Sequence, residues 1–107
     1  MDTGPQVTIF RSRLRAGVDR SYGPVAVETE ELARAMPGFV DFKTFTADDG
    51  ERVSLVTFAD EASHTAWRDH PVHREAQQRG RDEFYEEYLI QVCEVRRERR
   101  YVRSRLT

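Results

Sequence analysis

Three stretches of this chain carry apolar side chains on both faces of an extended backbone. Successive residues of a β-strand point to opposite sides of the sheet. In residues 7–14 (VTIFRSRL), Val7 and Ile9 therefore oppose Phe10 and Leu14. In residues 52–59 (RVSLVTFA), Val53 and Leu55 oppose Val56 and Phe58. In residues 88–95 (YLIQVCEV), Ile90 and Val92 oppose Leu89, Cys93 and Val95. An antiparallel sheet with one wet face alternates apolar and polar, and these strands do not. Helices can cover one face only. A chain of 107 residues is one compact domain with no second layer to spare, so the other face calls for a second copy. Burying about 600 Å2 per subunit this way stabilises by at most roughly 15 kcal/mol before association costs. A sheet-to-sheet homodimer is expected.

The remaining segments supply the helices. Residues 15–24 are turn-like, and a helical pattern runs over 25–36 until Pro37-Gly38 stops it. Residues 39–46 (FVDFKTFT) read as the second strand. The loop 47–51 (ADDGE) makes a hairpin, with Gly50 free to take positive φ. Asp60 is placed to cap a helix over 61–68. Pro71 breaks that helix near Asp69-His70 and suits the first turn of a new one, over 71–79, closed by Gly80. The order is β-α-β-β-α-β. With right-handed crossovers this is the ferredoxin-like α+β arrangement, a four-stranded antiparallel sheet with its helices on one face. The domain spans 1–95, followed by a basic tail over 96–107.

Charge narrows the partners. The net charge is −2, but the tail RRERRYVRSRLT holds six Arg and one Glu, or +5, which leaves −7 on residues 1–95. A nucleic-acid binder mounts such a tail on a basic body, and this body is acidic. Neither nucleic acid nor an anionic membrane is an expected partner; the tail is expected to pair with the acidic body of its own dimer or to be partly frayed. Cys93 is the single cysteine, so no intramolecular disulfide forms. Within its apolar run it reads as an inert buried thiol. No apolar N-terminal segment or 18-residue apolar span is visible, and cytoplasmic residence is the default.

The chemistry-bearing residues gather in AWRDHPVHREAQQRGRDEFY, residues 66–85, which holds the only tryptophan and two of three histidines. Trp67 is either the largest core side chain or a pocket wall. His70 and His73 stand at i, i+3, but Pro71 puts His70 at the helix start, as a cap or as a pocket residue. A metal site needs a third ligand that no second cluster offers, so no metal is expected. His73 titrates near neutrality and is the better base, sharing a helical face with Gln77 at i+4; the alternative is an exposed, idle ring. His64, six residues before His70, reads as a surface residue.

The element order, MPGFVDFKTFTADDGERVSLVTFADEASHTAW (36–67), WRDHPVHREAQQRGR (67–81) and FYEEYLIQVCEV (84–95) together resemble the antibiotic biosynthesis monooxygenase (ABM) superfamily. The resemblance covers about residues 7–95. It implies a dimeric α+β barrel with a pocket in each subunit between helices and sheet. It further implies oxygenation of a small (poly)aromatic molecule without metal or flavin, or ligand binding or cyclase-like help on the same fold. Haem binding or degradation is the less favoured outcome. Trp67 falls where the family places a tryptophan. The asparagine that the best-understood members pair with it has no counterpart, since the chain contains no asparagine. Gln77 stands where haem degraders carry their iron ligand, with His73 one turn earlier.

A cofactor-free pocket suffices on chemical grounds. Ground-state dioxygen reacts poorly with closed-shell molecules, but a deprotonated hydroxyaromatic gives it an electron unaided. The protein then supplies a base, donors for the anion and a dry cavity. His73, Trp67 and Tyr22 are the candidates for the first two tasks, and Phe10, Phe39, Phe42 and Phe58 for the walls.

Overall fold

The structure, a computed structural model, describes residues 4–103. Its elements are β1 (Gln6–Leu14), α1 (Asp19–Ala35), β2 (Phe39–Thr46), β3 (Arg52–Phe58), α2 (Glu61–Arg68), α3 (Pro71–Arg79), a π-helical turn (Gly80–Phe84) and β4 (Tyr85–Glu94). The four strands form one antiparallel sheet in the order β2-β3-β1-β4, which is the ferredoxin-like topology. No helix among the described residues is long and apolar enough to cross a membrane. Of the basic tail, residues 96–103 are exposed and outside helices and strands; residues 104–107 lie outside the described residues.

The sheet register fixes which side chains share a face. Thr8 pairs with Val56 and Val92, and Phe10 with Ser54 and Ile90. These look toward the helices, where Ala33, Val56, Phe58 and Trp67 form the core. Ile9 pairs with Leu55, Val7 with Cys93 and Arg11 with Leu89 on the other face. No helix covers that face; Phe45 and Leu89 are 46 % and 48 % exposed there. Ion pairs Arg11–Glu51, Arg13–Asp49 and Arg13–Glu87 edge it at one end. Cys93 is exposed rather than buried. It sits on the edge strand β4, facing the uncovered side, so the apolar run around it finds no cover within one chain.

Local signals account for most boundaries. Gly50 takes φ +90° in the hairpin, closed by Ala47 N–H to Glu51 C=O at 2.8 Å. Asp60 caps α2, its carboxylate accepting from the Ser63 N–H at 2.8 Å. Three expectations need correction. First, α1 begins at Asp19 instead of residue 25 and carries Pro24 inside it. Proline there removes one helical hydrogen bond. Packing of Tyr22 in the preceding turn offsets the loss, since its ring meets Phe84 and Tyr85 edge-on at 5.6 and 5.8 Å. Second, Gly80 follows the last residue of α3 as expected, but not as a left-handed cap. It stays right-handed at φ −57° and leads into the π turn. Glycine is required because a Cβ would lie 2.5 Å from Tyr85 Cε2. Third, β4 starts at Tyr85 rather than residue 88, paired with Leu14 across a register shift.

Candidate active site

α2 and α3 meet at a sharp corner, and the polar rings of the chain collect beneath it. His70 is the N-cap of α3: its Nδ1 accepts from the Val72 N–H at 3.2 Å, and Pro71 occupies the first turn. This turn brings His73 back over Trp67. The imidazole stacks on the indole with centroids 4.1 Å apart and planes 20° from parallel. His73 Nδ1 lies 3.2 Å from the Arg68 carbonyl oxygen. A carbonyl only accepts, so Nδ1 carries the proton, and in the neutral ring Nε2 keeps the lone pair. Burial pushes the His73 pKa down, with the Arg68 carbonyl opposing.

His64 is the residue that sequence reasoning misplaced. It is buried, 3 % exposed, and joined to Thr8 on the central strand by a 2.6 Å hydrogen bond between Nε2 and Oγ1. Its pKa is lowered by burial first, then by Arg68. The available signal was the spacing to Trp67 rather than to His70: residues at i, i+3 share a helix face, and α2 buries both His64 and Trp67. Trp67 thus lies between two imidazoles, its centroid 6.1 Å from that of His64. It is 4 % exposed, and its indole N–H has no hydrogen-bond partner among the described residues.

These rings form one end of a cavity of about 620 Å3 between helices and sheet. Trp67, His73, Gln77 and Tyr22 line it from the helices, and Phe10 and Phe42 line it from the sheet. Thr8, Arg52, Tyr85 and His64, none of them expected there, line it as well. Phe58 and Phe39 are placed behind the wall. Phe58 is fully buried against Trp67, and Phe39 meets Phe58 edge-on at 5.9 Å. His70 likewise stays off the lining, occupied as a cap. Tyr88, Ile90 and Val92 line the β4 side and are 40–49 % exposed, so the cavity is open along that edge. Among the described residues, no three His, Cys, Asp or Glu side chains gather as metal ligands.

The arrangement pairs a neutral ring nitrogen with an unsatisfied buried N–H donor in an apolar chamber. An unpaired buried donor costs about 1–3 kcal/mol.

Known proteins share the family and the fold. A family model described as antibiotic biosynthesis monooxygenase matches residues 5–79. An uncharacterised protein of Bacillus subtilis, YqjZ, is 28 % identical over 95 residues, covering 89 % of this chain and 83 % of its own. Among solved structures, Rv0793 from Mycobacterium tuberculosis aligns with TM-score 0.78 at 16 % identity over 89 % of this chain and 98 % of its own. SnoaB, a cofactor-independent oxygenase from Streptomyces nogalater, aligns with TM-score 0.73 at 15 % identity over 92 % of this chain and 97 % of its own.

Proposed function

The chain belongs to the antibiotic biosynthesis monooxygenase family, and from that premise we propose that it oxygenates a small hydroxylated polycyclic aromatic molecule without a cofactor. The observation that carries this reading is the Trp67–His73 stack at the cavity wall, with a buried indole N–H that lacks a partner. His73 Nε2 takes a proton from an activated ring carbon of the substrate. The Trp67 N–H then donates to the oxygen on which the negative charge settles. The enolate passes one electron to dioxygen, and the radical pair combines into a C–O bond. The resulting peroxide regains a proton from the imidazolium, and loss of water leaves a carbonyl. The sum is CH2 + O2 → C=O + H2O, with every proton returned.

His64, held by Thr8, backs the indole and keeps it from turning away. The apolar lining from Phe10, Phe42 and Val56 keeps water from the anion. Two copies of the chain pack through the helix-free sheet face in this reading, since Phe45 and Leu89 stand exposed there. The decisive experiment follows oxygen consumption with an anthrone-type phenol. Wild-type turnover that falls in both Trp67→Phe and His73→Gln supports the site; uptake unchanged in both discards it.

A second reading is favoured by one observation. The chain has no asparagine, the residue that oxygenases of this kind set beside the tryptophan. A binding or cyclase-like protein needs the chamber but not that residue. Ligand-dependent thermal stabilisation with no oxygen uptake selects this alternative.

A further inference from the structure

The cavity has a second polar end, which the chemistry at Trp67 does not use. Ser12 pairs with Arg52 in the register that pairs Thr8 with Val56, so Arg52 lies four strand residues, about 13 Å, beyond the Thr8–His64 end. Apolar side chains, Phe10, Val56 and Ile90 among them, line the span between. Arg52 lines the cavity, is half-buried and makes no ion pair among the described residues. Its guanidinium lies over the Tyr22 ring, 5.1 Å from the centroid. The other arginines on the lining are exposed and have side-chain partners: Arg68 binds Asp69, and Arg81 binds the Gln78 amide oxygen.

A half-buried guanidinium without a counter-ion is desolvated with little compensation, while its planar fork remains free for a carboxylate. Two hydroxyls stand beside it. The Tyr85 O–H donates to Tyr22 Oη at 3.4 Å, and burial holds the Tyr85 phenol above its ordinary pKa, as a donor. Asp19 and Glu30 also line the cavity, Glu30 paired with Arg34; their negative charge disfavours a dianion such as phosphate more strongly than a monoanion.

We propose that this end is a carboxylate subsite and that the cavity takes an elongated aromatic carboxylic acid. The acid group sits on Arg52 beside Tyr22, and the reacting ring lies at Trp67 and His73. The placement of the reacting ring rests on the proposed function; the carboxylate subsite does not.

The test titrates the protein with two fluorescent probes of equal shape, 2-anthracenecarboxylate and the neutral 2-(hydroxymethyl)anthracene. Trp67 is the only tryptophan, so energy transfer from its emission reports proximity to the far ring. Wild-type protein should bind the acid at least about tenfold more tightly than the alcohol, with only the acid weakened by added salt. Arg52→Gln should remove that preference, leave the alcohol within about twofold, and be partly rescued by Arg52→Lys. Equal binding of the two probes by the wild type overturns the subsite, and this comparison needs no variant to fold. So does an acid preference that survives Arg52→Gln. Acid preference without quenching of Trp67 keeps the subsite and discards the proposed reacting end, whereas no binding of either probe overturns both.

Discussion

Thr8 on the central strand and His64 on α2 are joined by a 2.6 Å hydrogen bond between two buried side chains. It fixes the rotation of α2 about its own axis and thereby the plane of the indole one turn later. Thr8→Val keeps the shape and leaves the imidazole unsatisfied. We expect a loss of about 1–3 kcal/mol in unfolding free energy by denaturant titration, together with weaker ligand binding. Unchanged stability would mean that the bond does not anchor the helix.

Trp67→Phe separates packing from chemistry. The substitution deletes a buried N–H that has no protein partner, which relieves a penalty, while the smaller ring opens space. These effects oppose each other, so stability should move by no more than about 1–2 kcal/mol. Turnover of a phenolic substrate should drop about 100-fold, the range seen when one donor to a developing oxyanion is removed. His73→Gln should lower it by about 100-fold or more through loss of the base.

Acid should destabilise the fold through its two buried imidazoles. Both His64 and His73 have pKa values pushed below the ordinary 6.5 by burial. Below that value the unfolded chain binds protons that the folded chain refuses, so stability rises with pH. The contribution of these rings is therefore complete above pH 6.5 and is lost as the pH falls from there toward their depressed folded-state values. Melting temperatures between pH 8 and pH 5 should show this decline, and it should flatten in the His64→Gln, His73→Gln double variant. A double variant as acid-sensitive as the wild type would assign the decline to other groups.

Gly80→Ala should be destabilising although the residue is helical. The new methyl would press on the Tyr85 ring, which Phe10, Tyr22 and Tyr88 hold at centroid distances of 5.3–5.8 Å. With the ring unable to yield, a loss of about 1–3 kcal/mol is expected from chemical denaturation. A stabilised variant would show that the π turn can open to admit the methyl.

Leu89→Lys places a cation on the helix-free face of each copy. Sedimentation should show a two-subunit species for the wild type and single subunits for the variant, with helix content unchanged. A wild type that sediments as a single subunit at micromolar concentration refutes the pairing.

Much of this fold could be read residue by residue. Strand β2, the Gly50 hairpin and the Asp60 cap follow from local chemistry that the tertiary structure does not override. The break at Pro71 was equally visible, but the return of His73 over Trp67 was not, since the sequence left an exposed ring as the alternative. What escaped were features decided by distant partners. Helix α1 runs through Pro24 because Tyr22 packs against residues more than sixty positions away. His64 is buried by a threonine fifty-six residues upstream. Arg52 opens strand β3 in the sequence, but only sheet register and the Tyr22 ring show that it faces the cavity. Phe39 and Phe58 illustrate the converse: aromatic residues near a pocket divide into lining and support, and alternation alone does not separate them.

Cys93 looks out from β4 toward the side where no helix lies. Should two copies close over that side, its thiol becomes a chemical clock for their meeting. Alkylation by iodoacetamide should run fast in dilute solution and slow as concentration rises, so that self-association can be timed without a label or an assay of turnover.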